Sequence, residues 1–540
     1  MEIEDDEATE FNQSLFKSSS IKPIEDALLL DFDDSDDDYM FNITKATKVI
    51  LYYGNSQSDS EWMNQNVNNT HVNVRPYSSG QILKESYKYM PRKIFETTDS
   101  LNDYLNDVID EINSIYKQRT EANHVTENDT VMNILHDLFD DEAFIKQLTL
   151  KTSVETYYLG RIRYGYDSKS GSNNRNIIQL ESNTRYSNGE VVPLDLSLYN
   201  KNKNDDEHHM SLFPGQIVIV KGDNPNGKFI RVTEFMELDR IFSPKFIPKC
   251  PSILSGYESI NIVCARGPFV SYKNKNSTEI NMTDTTYMKA LANYVKQYNP
   301  HILLIFGPIY DEAQSEQLMQ WSLQENKTVD DTFPCQWTTD RLFNFQMGTL
   351  SKELEGRTVN TQIIFIPSAN ELGSELNIFP TAPVEIKQNY PIQSYSNPAI
   401  LDMGGIIVGT IATDILLHMS RYEISNISNE NVGKGDRLKR LCSHMLKHKC
   451  FYPLLPIDVN LNLELSQFDH LNMPITPHLM FTPSVLRPFI YNVNDTIVVN
   501  PGLVTKNTIA RIKIEPMKSR SEYTGSIVSC INGEIIKLLS

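Results

Sequence analysis

At 540 residues and 40% apolar content, the chain has room for about two to four domains with sizeable cores. No apolar run approaches the roughly 18 residues of a membrane helix, and the first residues are acidic where a secretory leader is basic and then apolar. Net charge is −19, which argues against a chain that grips nucleic acid through a basic excess.

The charge is uneven. Fourteen acids against two lysines within Met1–Met40 supply −12 of it, leaving −7 for the other 500 residues. The first 85 residues are acidic and then Asn- and Ser-rich, which predicts a largely disordered tail. Within it, "DALLLDFDDSDDDYMF" sets Leu28–Leu30, Phe32, Tyr39 and Phe41 among aspartates, and the same residues could anchor in a partner's groove. The six cysteines, at 250, 264, 335, 442, 450 and 530, are scattered as reduced intracellular thiols are.

Residues 86–152 read as a helical connector. Thr98-Asp99-Ser100 can cap a helix whose stripe is Leu101, Leu105, Val108, Ile109, Ile112 and Ile115, and a second helix is expected over Asp129–Leu148. Residues 153–245 then show five strand patterns: Thr156–Tyr164, Asn176–Ser182, Val191–Leu198, Gln216–Lys221 and Phe229–Glu237. Turn signals separate them, and one polar loop, Asn200–His209, interrupts them. Five short strands with one long loop suit an OB-fold β-barrel. Arg161, Arg163, Tyr164 and Tyr166 could form a single-strand-binding patch on it. At the junction, Ile241, Phe242, Phe246 and Ile247 replace a Gly/Ser linker, so the barrel is expected to pack firmly on the next domain.

Residues 246–540 carry continuous apolar runs alternating with helical patterns, as buried strands of an α/β sandwich do. The runs are Ser259–Val270, His301–Ala313, Gln362–Gly373 and Thr476–Phe489. Each breaks into Gly, Pro or Ser at its C-terminal end, where an open α/β sheet carries its site. After the first run a helix begins near Thr283-Asp284, with Tyr287, Met288, Leu291, Tyr294 and Val295 inward. The chain closes with strands Thr496–Asn500 and Thr508–Pro516 and a hairpin, Ser526–Leu538, turned by Asn532-Gly533. Cys442, His444, His448 and Cys450 are the nearest approach to a zinc pattern. They fall on a helical stretch where residues two apart diverge, which does not close a tetrahedron.

The four strand ends resemble the signature sites of calcineurin-like metallophosphoesterases, with the chemistry removed. That family uses Asp-x-His, Gly-Asp-x-x-Asp, Gly-Asn-His-Asp/Glu and Gly-His-x-His to clamp two cations and generate hydroxide. Here Cys264–Pro268 holds neither Asp nor His. The second site reads Gly307-Pro308-Ile309-Tyr310-Asp311, the third Ser368-Ala369-Asn370-Glu371, and the fourth Pro483-Ser484-Val485-Leu486. No histidine lies between Met210 and Pro300 or between Ile302 and Leu417. Asp311 and Glu371 alone make at best a weak hard-cation site.

An inactivated phosphoesterase domain behind an OB-fold resembles the B-subunit family of replicative DNA polymerases, in its polymerase alpha branch. The stretches that carry the resemblance are "YKYM" (Tyr87–Met90), "YYLGRI" (Tyr157–Ile162), "SLFPGQIVIVKGDNPNG" (Ser211–Gly227), "ARGPFV" (Ala265–Val270), "GTIATDILLHMS" (Gly409–Ser420), "CFYPLLP" (Cys450–Pro456), "PITPHLMFTPSVLRPF" (Pro474–Phe489) and "VVNPGLVTK" (Val498–Lys506). The resemblance implies a nuclear, non-catalytic scaffold for initiation of DNA replication, with no catalytic residue, metal or cofactor of its own. Its partners would be the C-terminal domain of the polymerase alpha catalytic subunit, the primase subunits and further replication or telomere-maintenance factors. DNA would be met through the complex. The other readings open at this point are the B-type accessory chain of polymerase delta or epsilon, a working metallophosphoesterase or nuclease, and a single-strand-binding OB protein.

Overall fold

The computed structural model describes residues 47–54, 62, 72–78, 83, 93–121, 130–139, 145–167, 172–201, 210–236, 238, 259–270, 281–325, 337–356, 361–373, 377–386, 391–425, 436–516 and 526–538. The acidic stretch through residue 46, most of the loop Asn200–His209 and the apolar junction Arg240–Pro251 lie outside them. The described residues fall into two compact units. One gathers those of Met90–Lys245 and His418–Asp458, the other those of Glu25–Tyr89, Phe246–Leu417 and Val459–Ser540. His418–Asp458 was expected to belong with 246–540 and instead joins the barrel.

The first unit contains a closed five-stranded barrel in the order Thr152–Asp167, Ser172–Glu181, Val191–Asp195, Ile230–Met236, Ile217–Asn224. Strand alternation sends Tyr158, Ile162, Tyr164, Leu180, Leu194, Val220 and Val232 to its interior. The preceding helix runs over Ile94–Glu121 and buries Leu105, Ile109 and Ile112. It starts before Thr98-Asp99-Ser100, so the expected cap lies inside it. The buried stripe outweighs the weak preference of those residues for a helix end. The second helix stops at Leu138. The two segments of this unit are fastened by pairing of Ser211–Leu212 with Ile424–Ser425 and by the helix Asp436–Lys447.

The second unit is a two-sheet sandwich. Four parallel strands, Ile260–Arg266, Ile302–Phe306, Gln362–Ile366 and Ile392–Ser394, form one half of a seven-stranded sheet. Thr508–Ile514, Ile531–Leu538 and Thr47–Tyr53 extend it antiparallel on the other side. The opposing six-stranded sheet runs Phe489–Val493, Thr496–Asn500, Leu479–Phe481, Ile406–Thr410, Ala399–Met403, Val74–Pro76. The period of two explains the continuous apolar runs: Ile260, Ile262, Cys264, Leu304 and Phe306 face the opposing sheet. Val263, Ala265, Leu303 and Ile305 face the helices Thr286–Tyr298 and Thr339–Leu354. Both faces of these strands are buried, so both must be apolar.

Two expectations for this unit fail. The presumed tail supplies an edge strand to each sheet, Thr47–Tyr53 and Val74–Pro76, and buries Trp62, Val72 and Val74. Composition hid these short apolar islands in a polar stretch. Asn532-Gly533 does not turn a hairpin either; it lies within the single strand Ile531–Leu538, between two neighbours. A Cβ on Gly533 would stand 2.8 Å from Ile512 Cδ1 and 3.0 Å from Ile490 Cδ1, so glycine is there for close packing.

Candidate functional site

The C-terminal strand ends of the sandwich form the candidate site. Phe306 and Phe481, each the last residue of its strand, lie 6.2 Å apart between ring centroids and mark where the two sheets' ends meet. At the first position, Cys264 points into the core between the sheets, and burial pushes its thiol well above the ordinary range. Arg266 ends that strand and reaches Asp414 Oδ2 at 3.5 Å, with both side chains buried. Asp414 Oδ2 also accepts the Val485 N–H at 2.7 Å, and its Oδ1 accepts the Leu417 N–H at 3.1 Å. One carboxylate thus ties the ends of three chain segments.

At the second and third positions, Glu371 is consumed by the loop it supports. It accepts the N–H of Ile309 at 2.7 Å and that of Tyr310 at 3.0 Å. Burial pushes its carboxyl up to about 8, and the charge of Asp311 adds to the rise. A Cβ on Gly307 would sit 3.0 Å from Glu371 Oε2 and 2.8 Å from Ser368 N, which fixes glycine at that bend. Asp311 caps a short 3-10 turn by accepting the Ala313 N–H at 3.1 Å. At the fourth position, Ser484 N–H donates to Asn500 Oδ1 at 2.9 Å, while Asn500 Nδ2 donates to the carbonyls of Leu486 and Arg487. Asn397 does the same work nearby, accepting from Ala412 N at 2.9 Å and donating to Thr413 Oγ1 at 3.2 Å.

These residues do not fit a two-cation centre. The acids at hand are each committed, Asp414 to Arg266 and backbone, Glu371 and Asp311 to their loops. Among the described residues no three His, Cys, Asp or Glu side chains converge as ligands. The two histidines beside the central strands sit at the opposite, N-terminal ends. His301 precedes Ile302–Phe306 and His478 precedes Leu479–Phe481. Each accepts a neighbouring strand's N–H through Nδ1, from Asn261 and Ile407 respectively, both at 3.0 Å.

The two other candidate sets are also placed. In the barrel, Tyr164 faces the interior and donates to the Tyr422 carbonyl at 2.6 Å. Arg161 is buried and engages Glu181 Oε2 at 3.0 Å and the Leu101 carbonyl at 3.1 Å. Only Arg163 is exposed, and nothing is described of the Tyr166 side chain. The expected patch is therefore not assembled, because alternation sends Tyr164 away from the arginines. Of the zinc-like set, Cys442 and Cys450 are buried free thiols, and His444 Nε2 lies 2.8 Å from Ser211 Oγ. Sequence reasoning missed Arg266, Asp414, Asn397 and Asn500. A signal for Asp414 was present in "GTIATDILLHMS", a polar acid just beyond an apolar strand.

Comparison with known proteins gives the same outline. The family model for the DNA polymerase alpha/epsilon B subunit matches residues 262–491, and that for the OB domain of the DNA polymerase alpha B subunit matches 123–238. Relatives named as the B subunit of DNA polymerase alpha include one from Mus musculus, 26% identical over 473 residues, covering 86% of this chain and 67% of that protein. One from Drosophila melanogaster is 28% identical over 319 residues, covering 57% and 45%. One from Saccharomyces cerevisiae is 23% identical over 514 residues, covering 86% and 63%. The chain thus spans about two thirds or less of the length of these relatives. With a barrel where the OB-domain model matches and a sandwich where the other model matches, the chain belongs to the DNA polymerase alpha/epsilon B-subunit family.

Proposed function

We propose that this chain is the non-catalytic scaffold of a DNA polymerase alpha–primase assembly in the nucleus. In this reading the sandwich is a phosphoesterase scaffold that has lost its metals. The barrel unit and the sandwich together hold the C-terminal domain of the catalytic subunit and position primase beside it. The work is positional: a rigid surface keeps two enzymes in register while an RNA primer passes from one to the other. Contact with DNA comes through the complex.

The observation that carries the reading is the strand-end site, where an Arg266–Asp414 pair and capped loops occupy the place of a reactive centre. A group that must make hydroxide needs open cation ligands, and every acid here already has a structural partner. The names of the relatives support the polymerase alpha assignment.

Two measurements test it together. A native pull-down with mass spectrometry is expected to recover a polymerase catalytic subunit and primase subunits. The purified chain is expected to show no phosphodiesterase turnover with manganese or other divalent cations. Turnover that vanishes on Asp311→Ala or Glu371→Ala would overturn the non-catalytic reading.

A further inference from the structure

Arg511 is a buried guanidinium in the middle of a β-sheet, 1% exposed. It lies on the helix-covered face of Thr508–Ile514, where its strand neighbour Ile509 belongs to the apolar core. Its edges are satisfied within the sheet and the adjoining helix. Nε and Nη2 donate to Glu534 Oε2 at 2.9 and 2.5 Å, and Nη1 donates to Tyr294 OH at 3.2 Å. Its flat faces, which carry no donor, meet rings: Trp62 at 4.5 Å and Tyr298 at 5.4 Å from centroid to guanidinium carbon. Tyr298 is itself stacked on Tyr294 at 4.4 Å.

Trp62 comes from a different part of the chain. It lies between the two N-terminal edge strands, Thr47–Tyr53 on the seven-stranded sheet and Val74–Pro76 on the six-stranded sheet. The first of these is paired on one side only. It is an outermost strand, its register slips between Val49 and Leu51, and Val49, Ile50 and Tyr52 are 41%, 41% and 62% exposed. Trp62 is only 3% exposed. Leu51 and Tyr53 pack against the inter-sheet core, and Trp62 adds a hold beyond the strand itself.

We propose that Trp62 on Arg511 is a latch that fastens the N-terminal edge strand Thr47–Tyr53 to the sandwich. The Arg511–Glu534 pair presents a desolvated cationic face that an aromatic ring covers better than an aliphatic one. Seating Trp62 holds the preceding strand against Ile531–Leu538. Releasing it leaves that strand to open by itself and bares a sheet edge, while the rest of the sandwich stays folded.

Hydrogen–deuterium exchange on the full chain tests the latch with Trp62→Phe and Trp62→Leu beside the parent. Both substitutions keep an apolar side chain, but only the first keeps a ring. Trp62→Leu is expected to speed exchange of peptides within 47–53 on the order of ten-fold, and Trp62→Phe less than about three-fold. Peptides of the central sandwich strand Ile302–Phe306 are expected to keep the parent's rates. Equal protection in the two variants would overturn the proposal, as would unchanged protection of 47–53 in both. Acceleration spread equally over 47–53 and Ile302–Phe306 would also overturn it, because Trp62 would then be an ordinary residue of the sandwich core. Arg511→Lys supplies an independent arm: it keeps the charge without the flat face and is expected to match Trp62→Leu at 47–53.

Discussion

His301 accepts the backbone N–H of Asn261 through Nδ1 at 3.0 Å, closing the ladder between two parallel strands just before it begins. The bond requires a neutral imidazole with its proton on Nε2. His478 makes the equivalent bond to Ile407 at the matching end of the other sheet.

Burial lowers the pKa of both, that of His478 to about 4, and burial together with the charges of His444 and Lys447 lowers His448 to about 3. A histidine held below its unfolded value of ~6.5 stabilises the fold fully above that pH, and the contribution is lost as pH falls toward the folded value. Glu371 acts on the other side. Its carboxyl, raised to about 8, favours the protonated fold, so its contribution weakens as pH rises from ~4.5 to 8. Stability is therefore expected to peak near pH ~6.5. His478→Gln should remove about 3 kcal/mol of the acid-side loss by pH ~4, and Glu371→Gln should flatten the decline from about 6.5 to 8. Urea unfolding across pH checks both, and a stability still rising at about pH 8 in the parent would contradict the Glu371 assignment.

The Arg266–Asp414 pair makes a different kind of prediction. Removing one partner of a buried pair leaves the other charge stranded and costs about 3–5 kcal/mol, whereas replacing both by apolar groups of similar size is close to neutral. Arg266→Met and Asp414→Leu are each expected to destabilise by that order. The double variant should recover part of the loss, though Asp414 also serves the N–H groups of Val485 and Leu417. A double-mutant cycle by chemical denaturation reads the coupling, and strict additivity would show that the two side chains do not interact.

The fold was most legible where the hydrophobic pattern had no competitor. The runs Ser259–Val270, His301–Ala313, Gln362–Gly373 and Thr476–Phe489 each contain a strand, because burial on both faces keeps their middles almost wholly apolar. The five barrel strands were legible for the complementary reason, alternation between turn signals. That proline and leucine at the strand ends offer no cation ligand could be read by residue type alone. The roles of Asp414 and Asn500 could not, because they cap backbone groups of other segments, Val485 for Asp414 and Ser484 for Asn500, that no local pattern marks. Thr47–Tyr53 and Trp62 were hidden for a related reason: their partners, Ile535 and Arg511, lie hundreds of positions downstream.

Truncation at the N-terminus separates a tail from a structural segment. Removal of residues 1–80 takes both edge strands and the buried Trp62, Val72 and Val74. Full burial of one aromatic and two valines is worth several kcal/mol at about 25 cal/mol per Å². The midpoint of thermal unfolding is expected to fall by at least several degrees. Removal of residues 1–46 keeps all of these contacts, so scanning calorimetry of the two truncations gives a direct comparison. Equal midpoints would show that the N-terminal edge strands add nothing.

The barrel is expected to need the distant segment His418–Asp458. Ser211 Oγ donates to Glu423 Oε1 at 2.7 Å, and Glu423 in turn accepts from Arg437 and Arg440 at 2.9 and 2.6 Å. Phe213, fully buried, meets the rings of His444 and His448 at 5.1 and 5.6 Å. A Cβ on Gly215 would stand 2.6 Å from Leu455 N, so the two segments approach backbone to backbone. Tyr104 on the connector helix donates to the His448 carbonyl at 3.0 Å. A fragment covering 153–241 would expose Phe213 and strand Ser211 and Tyr164 without their partners, and it is expected to aggregate or bind hydrophobic dyes. Residues 90–245 co-expressed with 418–458 should instead form a soluble one-to-one complex. Glu423→Ala in the shorter piece should weaken that complex on the order of a hundred-fold, because two half-buried arginines and the Ser211 hydroxyl lose their carboxylate. Size exclusion with circular dichroism decides the matter, and a folded, monomeric 153–241 fragment would refute the dependence.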